Sequence, residues 1–209
     1  ARRRPMRTTI DSLRALGVDV TDDGRGALPF SLYGTGEVAG GDLEIDASAS
    51  SQFVSGLLLA APRFTNGLRL RHTGERLPSM PHIEMTIACL AARGVTVESP
   101  EPGVWVVAPG PIAGATIDIE PDLSNAAPFL AAAVVAGGSV TITGWPASTT
   151  QVGADLAHLL PHFGATVTRD GDALTVTGGS EITGVDLDLS TGGELAPALV
   201  ALAAADDGG

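Results

Sequence analysis

Three stretches of the chain repeat one alternation of apolar and polar positions. LRALGVDVTDDGRGALPFSLYG (13–34), LAARGVTVESPEPGVWVVAPG (90–110) and LLPHFGATVTRDGDALTVTGG (159–179) each predict a helix end, a glycine, a short strand, a turn and a second strand. The glycines are Gly17, Gly94 and Gly164, separated by 94 − 17 = 77 and 164 − 94 = 70 residues. Glycine at that point supplies the left-handed conformation that ends a helix. Met6, Ile10 and Leu13 stand 11, 7 and 4 residues before Gly17, as Ile83, Ile87 and Leu90 stand before Gly94. That spacing makes one apolar helix face. The third copy is weaker, with Leu160 in place but Ala157 and Gly153 at the other two positions.

A second pattern alternates with the first. GGDLEIDASASSQFVSGLLLAAP, GATIDIEPDLSNAAPFLAAAVVAGG and GVDLDLSTGGELAPALVALAAADDGG each predict a short strand, an acidic and Ser-rich corner, and an apolar helix. Ser48 or Ser50 would cap the first of these helices and Ser124 the second. Joined, the two patterns give an α/β (α+β) fold of roughly two and a half βαβαββ units. The Pro- and Gly-rich stretch APGPIAGATIDIE (108–120) breaks the register and marks a domain boundary, the alternative being a surface loop between adjacent units of one domain.

Composition narrows the picture. Aromatic residues are 4% of the chain, so the core must be built mainly from Val, Leu, Ile and Ala, with close packing of helix on sheet. The net charge is −12, and all twelve basic residues are arginine. That balance argues against a nucleic-acid partner, which needs a basic surface. The apolar runs near 54–62 and 195–205 are shorter than a membrane span of roughly 18 residues, and ARRRPMRTT at the start is not followed by a signal-peptide core. A single cysteine, Cys89, excludes an intramolecular disulfide and is expected to be an inert thiol buried in a helix. These features lead us to expect a soluble cytoplasmic protein. The first residue is not methionine and the last follow a helical run, so we expect an internal piece of a longer polypeptide.

The candidate chemistry lies at the strand-to-helix corners. A helix start offers unpaired backbone N–H groups and about half a positive charge, which attract anions. Ser50, Ser51 and Gln52 surround one such start with further donors, the makings of a phosphate or carboxylate cradle; a doubly capped core helix with spare serines explains the same residues. One helix dipole contributes under about 1 kcal/mol when exposed, so several starts would have to act together. Ser79, Pro81 and His82 stand at an equivalent corner, and Arg4 with Pro5 at another, where an arginine can grip a carboxylate or phosphate through two hydrogen bonds. The histidines His72, His82, His158 and His162 show no metal-ligand spacing, and neither a Walker loop nor GxGxxG occurs.

Four stretches carry a family likeness: RPMRTTIDSLRALGVDV, DASASSQFVSGLLLAAP, LPSMPHIEMTIACLAARGV and IEPDLSNAAPFLAAAVVAGGSVTITG. Together they resemble the enolpyruvyl transferases, and SSQF with its flanking aspartate resembles the branch acting on shikimate 3-phosphate. The resemblance implies two inverted half-barrel domains of βαβαββ units, incomplete here, with helix starts facing a cleft between them. Residues 1–117 would be the later part of the shikimate-phosphate-binding domain and 118–209 the opening of the other domain's main segment. The implied reaction moves the enolpyruvyl group of phosphoenolpyruvate to the 5-hydroxyl of shikimate 3-phosphate and releases phosphate. It needs no metal or organic cofactor and no nucleic-acid or membrane partner, and the full-length protein would act as a monomer.

By the same resemblance Ser50, Ser51, Gln52, Ser79 and His82 would bind shikimate 3-phosphate, His82 standing where many relatives have tyrosine. Arg4 and Gln52 would meet phosphoenolpyruvate. Glu194, where the family more often has aspartate, would hold the substrate hydroxyls and serve as the catalytic base. The family's lysines have no counterpart in a chain without lysine, so little or no turnover is expected from this chain by itself. The sister enzyme that uses UDP-N-acetylglucosamine as acceptor, and a noncatalytic anion-binding repeat module, are the alternatives.

Overall fold

In the computed structural model residues 6–189 and 192–205 are described. The chain divides into two compact units, residues 1–116 and 117–209.

In the first unit, α1 (Arg7–Ala15) leads through Gly17, at φ 85°, into an antiparallel pair, β1 (Asp19–Thr21) and β2 (Ser31–Tyr33). A full βαβαββ unit follows: β3 (Gly41–Ile45), α2 (Gln52–Ala60), β4 (Leu68–His72), α3 (Met80–Ala91), β5 (Val97–Glu101) and β6 (Val104–Val107). The strand order is β3-β4-β6-β5, with β3 and β4 parallel and the other pairs antiparallel. The period of two in LRLRH explains β4. Leu68 and Leu70 turn inward onto a core with Leu43, Ile45, Val54, Leu58, Ile83 and Trp105. Arg69 and Arg71 turn outward, where Arg71 meets Glu101 at 2.7 Å and Arg69 meets it at 3.5 Å. Burial of each leucine is worth about 1.5–3 kcal/mol, against at most about 1 for an exposed ion pair, so the inner face fixes the strand.

The parallel pair fixes where two helices start. Since β3 and β4 run in the same direction, the helices that follow them, α2 and α3, both begin at the same end of the sheet. The two helices pack on each other, with Thr86 Oγ1 2.9 Å from Ser55 Oγ.

The second unit holds α4 (Leu123–Val135), β7 (Ser139–Ile142), α5 (Leu156–Leu159), β8 (Thr166–Asp170), β9 (Ala173–Thr177) and α6 (Ala196–Ala203). Its sheet has the order β7-β9-β8, all antiparallel. Leu130, Val134, Leu156, Phe163, Val176 and Leu199 form its core. The third copy of the repeat is weak here too. α5 is one turn between two 3-10 turns, because Gly153 and Pro161 occupy positions that a continuous helix would give to better formers.

Several expectations are corrected. Residues 115–120 and 185–189 form no strand. A strand exists through its hydrogen-bonded neighbour, and in 115–120 the alternation leaves Ile117 and Ile119 57% and 87% exposed. In 185–189 the same alternation packs Val185, Leu187 and Leu189 against the core without a ladder. Cys89 is exposed rather than buried. Ile83 and Leu90 set the buried face of α3, and the helical rotation carries Cys89 away from it. Among the described residues, no helix is long and apolar enough to cross a membrane.

Candidate functional site

The corner between β3 and α2 is built from short hydrogen-bonded turns. Asp46 follows the last residue of β3, and its Oδ1 accepts the Ser48 N–H at 2.9 Å. The Ser48 hydroxyl first, and then this amide, hold the Asp46 carboxyl below the usual carboxylate range. The Ser50 N–H donates to the Ala47 carbonyl at 3.0 Å, and the Gln52 N–H donates to Ser50 Oγ at 3.2 Å. Ser51, not Ser48 or Ser50, occupies the position before the first helical residue, and its side chain makes no capping hydrogen bond. Ser51 is 4% exposed, Ser50 is half-buried and Gln52 is exposed. The candidate trio therefore spans the corner from its inside to its surface.

Two residues that sequence reasoning missed brace this corner. The Thr8 hydroxyl, in the first turn of α1, donates to the Asp46 carbonyl at 3.4 Å. His72, the last residue of β4, accepts the Ala47 N–H on Nδ1 at 3.2 Å. The signal was positional, since His72 is the register partner of Ile45, one residue before the corner.

The start of α3 lies at the same end of the sheet. Ser79 precedes the helix with φ 55° and ψ 51°, a left-handed conformation that costs a serine about 1 kcal/mol or more. Its carbonyl accepts the His82 N–H at 3.0 Å, and its exposed side chain makes no capping hydrogen bond. Pro81 sits in the first turn and offers no N–H there. His82 is half-buried. The structure thus places Ser50, Ser51 and Gln52 on one corner and Ser79 and His82 on the neighbouring one. Arg4, with Pro5, lies outside the described residues.

The second unit treats its helix start differently. Asp122 Oδ1 accepts the N–H groups of Ser124 at 3.0 Å and Asn125 at 3.2 Å, and Oδ2 accepts from Asn125 Nδ2 at 2.9 Å. The Leu123 N–H donates to Gln151 Oε1 at 3.0 Å. Asp122 is therefore the cap expected of Ser124, because a carboxylate one residue before the helix reaches two amides at once. The Ser124 hydroxyl, free of that role, donates to Glu194 Oε2 at 2.9 Å. Glu194 is exposed and stands two residues ahead of α6.

A start filled by the protein's own carboxylate repels an external anion, and one lined by hydroxyl and amide groups can accept it. By this criterion the α2 corner is more open to an anion than the α4 start. A cavity of about 300 Å³ lies elsewhere in the first unit, beside Leu13, Tyr33 and Glu37, and contains none of the candidate residues. His158 and His162 are exposed, and among the described residues no group of three or more His, Cys, Asp or Glu side chains could hold a metal ion.

Comparison with known proteins adds an independent line. The family model described as EPSP synthase (3-phosphoshikimate 1-carboxyvinyltransferase) matches residues 1–209. The chain is 55% identical over 209 residues to the 3-phosphoshikimate 1-carboxyvinyltransferase of Kocuria rhizophila, covering 100% of this chain and 47% of that protein. It is 51% identical over 201 residues to the 3-phosphoshikimate 1-carboxyvinyltransferase of Tropheryma whipplei, covering 96% of this chain and 44% of that protein. The chain spans about half the length of the curated relatives it matches. Among solved structures, EPSP synthase from Acinetobacter baumannii superposes with a TM-score of 0.71 at 24% identity, over 99% of this chain and 48% of that one. The enolpyruvyl transferase NikO from Streptomyces tendae gives 0.71 at 19% identity, over 98% and 50%. At those identities the two structures speak for the fold alone.

Proposed function

The chain belongs to the EPSP synthase family, and from that premise we propose that it supplies the shikimate 3-phosphate-binding corner of an enolpyruvyl transferase. The reaction moves the enolpyruvyl group of phosphoenolpyruvate to the 5-hydroxyl of shikimate 3-phosphate and releases phosphate. The observation that carries this reading is the α2 start. Among the described residues no carboxylate caps it, Ser50 Oγ meets the Gln52 amide, Ser50 is half-buried and Gln52 exposed, and Asp46 is drawn away to the Ser48 amide. In this reading Ser50, Ser51 and Gln52 hold the sugar-acid phosphate, with Ser79 and His82 on the adjacent start completing the grip.

Glu194 takes the proton of the attacking hydroxyl as its oxygen bonds to the enolpyruvyl carbon, ordinary general-base work for a carboxylate. Arg4 and Gln52 meet phosphoenolpyruvate, the first pairing with its phosphate or carboxylate through a guanidinium fork. Residues 1–117 belong to the domain that binds shikimate 3-phosphate and 118–209 open the main segment of the other domain. The full-length protein works as a cytoplasmic monomer, without metal or organic cofactor.

Two measurements test this. Calorimetry with shikimate 3-phosphate is expected to show binding that Ser51→Ala and Gln52→Ala abolish; affinity indifferent to both changes would overturn the assignment of the corner. A phosphate-release assay on the chain alone is expected to show little or no turnover, since the chain has no lysine to supply the family's basic groups. Full turnover would contradict that division of labour.

A further inference from the structure

We infer that His72 is a positioning residue for the β3–α2 corner: its Nδ1, as acceptor of the Ala47 N–H, sets the turn on which Ser50, Ser51 and Gln52 are mounted. A backbone N–H can only donate, so the nitrogen it meets must carry a lone pair, and the ring proton then resides on Nε2. Nε2 is buried and meets no hydrogen-bond partner among the described residues. Among the described residues the ring is thus held in place by one hydrogen bond, the one to Ala47, and by packing.

That packing is close on each side. The His72 N–H donates to the Gly103 carbonyl at 2.8 Å, and the next amide, of Thr73, donates to the Ile45 carbonyl at 2.9 Å, which ties the end of β4 to the end of β3. Any Cβ at Gly74 would run into Ser48 Oγ and Asp46 Oδ1 and come within 2.7 Å of His72 Cε1. His72, Gly74, Asp46 and Ser48 therefore form one tight knot directly behind the serine trio. The charged group facing the ring from the corner is Asp46. Glu101, on β5, is engaged by Arg69 and Arg71.

From Ala47 the constraint passes along the chain. The Ala47 carbonyl accepts the Ser50 N–H at 3.0 Å, and Ser50 Oγ accepts the Gln52 N–H at 3.2 Å. One imidazole nitrogen thus fixes the first link of a short chain of hydrogen bonds that ends on the first residue of α2. The effect on ligand affinity rests on the reading of this corner as a phosphate site; the effect on the corner itself does not.

The test compares two variants of the chain. His72→Asn retains an acceptor, its Oδ1, in the place of Nδ1, whereas His72→Phe keeps a ring of similar shape and no acceptor. Amide hydrogen exchange at Ala47, Ser50 and Gln52 is expected to quicken about fivefold in His72→Phe, the scale of one neutral hydrogen bond, and to return towards wild type in His72→Asn. In the wild type, ring ¹⁵N shifts should show Nδ1 unprotonated. Equal exchange in the wild type and His72→Phe, equal losses in both variants, or a protonated Nδ1 would overturn the inference. Should His72→Phe fail to fold, the ring shifts and His72→Asn decide.

Calorimetry with shikimate 3-phosphate runs in parallel, with an affinity loss of about fivefold expected in His72→Phe and recovery in His72→Asn. A wild-type chain that binds no shikimate 3-phosphate would count against the proposed function, while the exchange result still decides the role of His72.

Discussion

The starts of α2 and α4 are two answers to one local problem. Both follow a segment of alternating apolar and acidic residues, and each has an aspartate near the end of it, Asp46 or Asp122. Asp122 directly precedes Leu123 and closes α4 with its own carboxylate. Asp46 stands 52 − 46 = 6 residues before the first residue of α2, and its carboxylate turns back to Ser48 instead. The inserted residues, Ala47 to Ser51, move a negative charge off the helix start and put hydroxyl groups there. The difference teaches that a change of spacing is enough to keep the protein's own carboxylate off a helix start, which leaves the amide end of that helix open to an external anion.

The comparison can be broken from either side. Among changes of charge or packing at the two starts, the largest effect is expected from Ser50→Asp, which keeps an acceptor for the Gln52 amide but gives α2 the charge that α4 already has. Two unit charges about 4 Å apart near a protein surface repel by a few kcal/mol, so the affinity for shikimate 3-phosphate should fall about a hundredfold with the fold intact, as calorimetry and circular dichroism would show. Gly153→Ala strikes the other start. Its Cβ would lie 2.7 Å from the Leu123 carbonyl carbon and 2.8 Å from the Ser124 nitrogen, backbone atoms that cannot swing aside. A loss of about 2 kcal/mol in urea unfolding is expected, with the α2 corner unchanged.

Asp122→Ala is milder. It removes the carboxylate cap of α4 and should cost about 1 kcal/mol of stability in the same measurement, and Ser124→Ala, which leaves the cap in place, should cost less. The smallest effect concerns pH at the other corner. The Asp46 carboxyl is held below the usual range by Ser48, so its stabilising contribution is present in full above the ordinary value of 3.8 and is lost as pH falls through the lower folded-state value. Protection of the Ser48 amide, measured against its intrinsic exchange rate at each pH, should therefore fall as the solution is acidified below the ordinary carboxylate range, and Asp46→Asn should flatten that dependence.

Much of the first unit was legible in the sequence because two periods agree there. LRLRH has the period of a half-buried strand, and Ile83, Ile87 and Leu90 have that of a helix face, each matched by a partner in the same unit. The three repeat glycines adopt the left-handed backbone expected of them, at φ 85°, 78° and 87°. Periodicity failed where partnership, not pattern, decides. Ile117 and Ile119 have the alternation of a strand without the neighbour that makes one, and the face on which Cys89 falls depends on which residues of α3 the sheet covers.

The site divides in the same way. Ser50, Ser51 and Gln52 could be placed at a strand-to-helix corner from residue type, as could Ser79 and His82. The exchange of roles between Asp122 and Ser124 could not, since both are good caps and only backbone geometry chooses between them. Nor could Thr8 or His72, which reach the corner from 38 and 25 residues away through the fold.

The most direct test of the central claim is to titrate the ¹⁵N-labelled chain with shikimate 3-phosphate and follow both helix starts in one experiment. Saturable shifts of the Ser50, Ser51 and Gln52 amides, with Leu123, Ser124 and Asn125 unmoved, are the predicted result. Shifts at the α4 amides with none at the α2 corner would contradict the account.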